Sequence, residues 1–502
     1  MIALAAFALA AALALPVQAQ TMRWAIDRPL ATLDPHATGD AFTLGVLGNI
    51  HEGLVRRAAD LSLEPALATE WRAVGPQLWR FTLREGVAFH DGNPFGAEDV
   101  AVSVARAQGS PAFPRDRLAG VAAVRVIDPL TVELVTRAPD PLLPQRLDTV
   151  LMLSRASAGR SGPGEANGTG PFRLVAHAPE RVTRLTRNTA WWDRQRGMIV
   201  NVELWPIATA ASRLAALPAG DIDLVTAIPP EEVAQLRERS GVVVVQGPAL
   251  RTVMLGFDIG PVAGQGAPNP LADGRVRRAI AHAIDVEALR TEVMGGAAMP
   301  AGLPWGPGVF GYRPEQDRRP VFDPVRARAL LAEAAYPAGF PLRLDCPRGR
   351  FMHDAALCAA VAPMLAEVGI RLTVNAIADT AYDAALAERA ARAFLLGWSA
   401  EPPEAHHPLA SLAHARDPAA GLGLANHTGY DRAEVNGLIA ALAGTFEPAR
   451  RQSLIDQAAA MLRADAVYLP LHHEVLTWAH RDRIRVVQRP DGVVVLNAIT
   501  LP

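Results

Sequence analysis

The sequence predicts an α/β protein of two lobes joined by a hinge. Three observations lead there. The chain has 502 residues, half of them hydrophobic, with 41 Pro and 40 Gly, which is too long for one hydrophobic core. Its texture changes near residue 258, from short strand patterns broken by turns to helical periods alternating with strands. After the last helical stretch, "VYLPLHHEVLTWAH" and the final twenty residues return to strand-like patterning, which carries the chain back toward the first lobe. Two crossings make a hinge, and closure around a ligand is a standard use of one.

The elements follow in order. "LWRFTLREGVAFHDG" (78–92) alternates apolar and polar residues and turns at Asp91-Gly92. "NPFGAEDVAVSVARA" is a helix whose acidic start suits its N-terminus. "VAAVRVIDPLTVELVTRAP" (121–139) reads as a hairpin turning at Asp128-Pro129. "VNVELWPI" is a strand, and "ASRLAALPAGDIDLV" is a helix, a tight turn and a short strand. "GVVVVQGPALRTVMLGFDI" (241–259) reads as two strands. Beyond it, 274–294 has helical spacing throughout, and 323–340 is a helix capped by Asp323 with Pro324 in its first turn. "PLRLDC", a helix over 352–368 and "IRLTVNAI" form a βαβ order, which implies parallel pairing. Two further helices, "EVNGLIAALAGT" and "EPARRQSLIDQAAAMLRADA", precede the final strands.

Composition removes several function classes. The formal net charge of −2 gives no electrostatic case for nucleic acid. All 49 basic residues are arginine, a compositional bias with one firm consequence: no lysine is present to act as a Schiff base or general base. Residues 2–15 form an apolar run of signal-peptide length, and Val17-Gln18-Ala19 sets small residues before a cleavage point ahead of Gln20, although the usual positively charged start is missing. No later stretch reaches the ~18 uncharged apolar residues of a membrane span. The mature chain is therefore expected to be exported and soluble. Cys346 and Cys358 are the two cysteines. In an oxidising compartment they are expected to pair, with two free buried thiols as the alternative. Two ligands do not complete a tetrahedral metal site.

Motifs of catalysis are missing. Gly168-Thr169-Gly170-Pro171 reads as a turn, since no Gly-Lys-Ser/Thr follows. His51-Glu52 lacks a second histidine four residues on, and no Gly-x-Ser-x-Gly elbow occurs. The turn His90-Asp91-Gly92 reads as structural.

The ordered segments "TLDPH", "NIHEGLV", "EPALATEW", "WRFTLREGVAFHDGNPFGAEDV", "NGTGPFRLVAHAPERVTRLTRNTAWW", "PAGLPWGPGVFGY", "FDPVRARALLAEAAYPAGF", "GWSAEPPEAHHPL", "NHTGYDRAEVNGLI" and "YLPLH" resemble the family 5 extracellular solute-binding proteins of ABC importers, the dipeptide and oligopeptide binders. The resemblance covers nearly the whole mature chain. It implies the two-lobe periplasmic binding protein fold with an enlarged first lobe. The chain then divides into a signal peptide at 1–19, lobe I at 20–258 with an inserted subdomain at roughly 50–190, lobe II at 259–470, and a segment at 471–502 returning to lobe I. It implies a periplasmic monomer without catalysis or cofactor. That protein would hand a short peptide or peptide-like solute to permease subunits in the inner membrane. Other members of the family take nickel chelates, haem, opines or oligosaccharides, and fold does not fix the ligand. A periplasmic enzyme on a two-lobe scaffold is the reading from a different class. "LDCPRGRFMHDAALCAAVAPMLAEVGI" resembles a peptide-binding branch in which both cysteines recur at this spacing, which implies a Cys346–Cys358 disulfide worth about 2–3 kcal/mol on the loop-entropy account.

A peptide binder must neutralise an ammonium and a carboxylate while tolerating varied side chains. A fixed carboxylate meets the first need and an arginine fork the second. In the family the ammonium meets an acidic residue shortly after a Gly-Trp, matched here by Gly397-Trp398. Glu401 stands three residues after the tryptophan, where Asp is usual, while the closer branch aligns its acidic residue with Glu404 and its histidine with His406. Both glutamates are candidates. Trp398 is either a pocket wall or core. Arg348 and Arg350 are candidates for the carboxylate, and Asn426 for the cleft lining or a turn. The pairs His406-His407 and His472-His473 could suit a metal, but neighbours on an extended chain point apart, so no metal site is expected.

Overall fold

The computed structural model describes residues 21–501, apart from 114, 160–163, 165, 194–198, 261–267 and 390. The export signal expected at 1–19 lies outside the described residues. Among the described residues, no helix is long and apolar enough to cross a membrane.

One sheet of eleven strands runs through both lobes. From the second lobe its order is Arg371–Ala378, Pro341–Arg348, Ala393–Ser399, Val242–Phe257, Tyr468–Arg481, Leu224–Val225, Thr21–Ile26, Asn201–Pro206, Val182–Arg187 and Phe172–Ala178. Ala298–Pro300 adds to Tyr468–Arg481. The two central strands are unusually long and serve both lobes. Val242–Pro248 pairs with Val475–Arg481, which also pairs with Leu224–Val225 of the first lobe. Past a register shift between Pro248 and Thr252, the same strand pairs with Ala393–Ser399 of the second lobe.

The stretch 241–259 is therefore one strand, not the two expected from its sequence. Gly247-Pro248 looks like a terminator, because proline has no N–H for the ladder. A bulge instead lets the strand bend and continue. The final twenty residues also depart from expectation. Past Arg481 the described residues form a short helical turn, Leu496–Ala498, and a bridge between Arg485 and Thr500 in place of strands. Their apolar residues Ile484, Val494, Leu496 and Ile499 fill the first-lobe core, so the pattern recorded burial rather than a strand.

The second lobe shows the expected βαβ unit. Pro341–Arg348 and Arg371–Ala378 pair in parallel across the helix Asp354–Ala366. Cys346 and Cys358 form a disulfide, S–S 2.09 Å, tying the strand end to that helix. Asp323 caps Pro324–Glu333 by accepting from Arg326 N, with Pro324 in the first turn. The helical period over 274–294 splits instead into Gly274–Ala283 and a second start at Val286. Asp285 causes the break, since its carboxylate accepts from the amides of Glu287 and Ala288 and so begins a new helix.

The first lobe carries an extra four-stranded antiparallel sheet, in the order Ala68–Gly75, Leu78–Leu83, Thr131–Thr136, Val121–Asp128. It has its own core, including Phe81, Phe89, Val100 and Leu134. Its Trp79 ring lies 5.9 Å from that of Phe446 in the second lobe.

Candidate functional site

The two lobes enclose a cavity of ≈ 200 Å³. Its first-lobe wall is the chain around 49–57 and 148–151, its floor includes the residues 489–497 and Leu250, and its second-lobe wall is Glu401-Pro402-Pro403. The glycine-rich turn at 168–171 explains how the first wall is placed. A Cβ on Gly168 would stand 2.0 Å from the carbonyl oxygen of Ile50, and one on Gly170 2.6 Å. Gly170 N and Phe172 N donate to the carbonyls of Ile50 and Asn49. Only glycine permits that approach, so the turn is a backing plate for the segment carrying His51 and Glu52.

That segment is held from behind. Glu52 is buried and accepts from the indole N–H of Trp191 at 3.2 Å and of Trp192 at 3.1 Å. Burial pushes its carboxyl up to about 7, against those donated hydrogen bonds. Arg84 stacks over the Trp192 ring at 3.9 Å. Beside it, Arg57 donates from Nε to Asp148 at 2.6 Å. His51 is fully buried and neither ring nitrogen has a partner among the described residues. Burial, with His90 and His36 nearby, lowers its pKa to about 3, so it stays neutral.

Facing this wall, Glu401 reaches into the cavity with 45% of its side chain exposed. Its Oε2 accepts from Arg117 Nη2 at 3.2 Å, an ion pair between residues far apart in sequence. No partner of Oε1 is found among the described residues, so one carboxylate oxygen stays open to the cleft. Arg117 lines the same cavity.

The other expected site residues stand elsewhere, and none of them lines this cavity. Glu404 is 2% exposed and pairs through Oε1 with Arg451 Nη2 at 2.7 Å, while its other oxygen accepts from His406 N. The second glutamate is thus a structural ion pair. His406 is turned inward, its pKa lowered to about 3 by burial and by Arg451. Trp398 packs against the second-lobe core, with its ring 5.4 Å from His407. Arg350 is held by Asp379 and by Asp383, so its fork is occupied within its own lobe. Arg348 is exposed at the strand end. Asn426 is a turn residue, donating to the carbonyls of His414 and Tyr430 and accepting from Thr428.

The second histidine pair is also structural. His473 bonds Thr252 Oγ1 at 2.8 Å and Asp317 Oδ2 at 2.9 Å. The order Thr-His-Asp has the look of a nucleophilic triad, but Thr252 and His473 are fully buried. It ties both central strands, next to the bulge, to the loop holding Asp317. Among the described residues, no group of three or more His, Cys, Asp or Glu side chains is placed to hold a metal ion.

The residues missed by sequence reasoning are Arg117, Leu250 and the wall residues His51 and Glu52. "NIHEGLV" stood out in the sequence, but as a fold motif. Arg117 carries no local signal at all, because its partner lies in the other lobe.

The sequence matches the profile of bacterial extracellular solute-binding proteins, family 5 Middle, over residues 62–419. A glutathione-binding protein, GsiB, of Escherichia coli O1:K1 is 27% identical over 475 residues, covering 91% of this chain and 89% of that protein. The fold matches HbpA2 of Haemophilus parasuis at a TM-score of 0.86 and 22% identity, over 96% of this chain and 100% of that one. It matches the periplasmic binding protein DppA of Helicobacter pylori, in complex with the peptide STSA, at 0.73 and 23% identity, over 96% and 98%.

Proposed function

The chain belongs to the bacterial extracellular solute-binding proteins of family 5, the binding components of ABC importers, and from that premise we propose that it takes a short peptide or peptide-like solute between its lobes. The observation that carries the reading is Glu401, an exposed carboxylate on the second-lobe wall with one oxygen engaged by Arg117 and the other open. The Arg117 contact fixes the direction of the Glu401 carboxylate. The free oxygen then receives the ligand's ammonium in a charge-assisted hydrogen bond. The relative that binds glutathione and the fold neighbour solved with STSA support a peptide of three or four residues.

Closure bends the two central strands at the bulge between Pro248 and Thr252 and at the facing residues of Tyr468–Arg481. On this reading the lobes hinge within the strand, before its end near 258. Bringing the walls together removes water and strengthens every charged contact, because the same charges interact more strongly at lower dielectric. The loaded protein then docks on its permease from the exported side of the membrane.

Isothermal titration against glutathione and a panel of di- to pentapeptides tests this, with mass spectrometry of the ligand afterwards. Saturable heat with the ligand unchanged supports the reading. Turnover of the ligand, or no heat across the panel, contradicts it.

A further inference from the structure

A second cavity of ≈ 340 Å³ opens on the second lobe and shares no lining residue with the interlobe cleft. Four arginines line it, Arg278, Arg318, Arg319 and Arg463, and among the described residues no acidic side chain does. We propose that this cavity is an anion-binding site that takes a phosphate-bearing ligand, independent of the peptide cleft.

Elsewhere in this chain arginines meet carboxylates repeatedly, as in the pairs of Arg57, Arg350 and Arg451. Among the described residues, none of the four cavity arginines makes an ion pair. Arg319 and Arg463 donate to the carbonyls of Pro470 and Gln316, and Arg278 makes a long contact of 3.5 Å to the carbonyl of Ala464. Arg318 has no partner among the described residues. The acids adjoining in sequence are engaged elsewhere. Asp465 accepts from Tyr430 and Arg432, and Asp317 from His473 and the amides of Gly302 and Leu303.

A purely structural role is the competing explanation. Three of these residues touch backbone carbonyls, and the C-terminus of helix Pro448–Asp465 lies at the cavity. That helix end supplies only about half a negative charge, against four positive ones. Arg319 sharpens the imbalance. Its Nε and Nη2 are buried with no partner, and burial alone lowers its pKa to about 10. A buried guanidinium without a counter-charge is costly, and an anion in the cavity would offset that cost for Arg319 while meeting the charge of its three neighbours. Guanidinium forks match phosphate oxygens in pairs, which favours phosphate over a halide.

The test uses the full mature chain. Sodium pyrophosphate is titrated calorimetrically with ionic strength matched by NaCl, and binding to phosphatidylglycerol vesicles is measured by co-sedimentation against phosphatidylcholine vesicles. Saturable pyrophosphate binding is expected. It should weaken at least fivefold in Arg318→Gln, whose side chain makes no hydrogen bond or ion pair among the described residues, and further in Arg318→Gln/Arg463→Gln, with peptide affinity unchanged. Vesicle binding that is lost in the same variants, without pyrophosphate binding, also supports the site and assigns its phosphate to a lipid headgroup. Absence of both, or affinities unchanged in the variants, overturns the proposal.

Discussion

Glu404 Oε1 lies 2.7 Å from Arg451 Nη2, with the two side chains 2% and 6% exposed. Three residues earlier, Glu401 stands 45% exposed at the cleft. Two glutamates in one short loop therefore have different work. One holds helix Pro448–Asp465 against the loop, and the other faces the cleft.

The first prediction separates them by stability. Glu404→Ala leaves the Arg451 guanidinium buried and unpaired, which costs about 3–5 kcal/mol. Glu401→Ala removes an exposed pair, worth about 0–1 kcal/mol. Urea unfolding of both variants checks this. Equal midpoints would sink the assignment.

The sequence made part of this loop legible. The spacing from Gly397-Trp398 brought out both Glu401 and Glu404, because it is local. It could not demote Glu404, whose partner sits at 451, or Arg350, whose fork is taken by Asp379 and Asp383. The same limit hid Arg117. Capping and periodicity gave the βαβ unit and most helix starts, since those signals act over three or four residues. The bulged strand 242–257 and the packed tail after 481 depart from their sequence patterns because their form is set by neighbours distant in sequence.

Acid should destabilise the protein through its buried histidines. His36 and His51 are lowered from 6.5 to about 4 and about 3, chiefly by burial. The folded chain thus binds fewer protons than the unfolded one. The stability they contribute is fully present above about 6.5 and is lost as pH falls toward 4 and 3, at about 1.4 kcal/mol per pH unit each. Glu52, raised from 4.5 to about 7, acts oppositely and loses stability as pH rises from 4.5 to 7. Two histidines outweigh one glutamate, so Tm should fall between pH 7 and pH 5. His51→Leu should reduce that fall, and a slope unchanged by the variant contradicts this account.

The disulfide predicts thiol counts. In denaturant the oxidised mature chain should show no titratable thiol, and the reduced chain should show two, from Cys346 and Cys358. Reduction should lower stability by about 2–3 kcal/mol on the loop-entropy account. Two thiols before reduction would rule the bridge out.

The most direct measurement of the central claim compares a peptide with its N-acetylated form. Wild type and Glu401→Gln are titrated with both, using the best-binding peptide of the panel. The account predicts that acetylation and the substitution each weaken binding at least tenfold, about 1.4 kcal/mol, and that the acetylated peptide binds both proteins alike. If Glu401→Gln binds the free peptide as wild type does, the ammonium is held elsewhere and the claim fails.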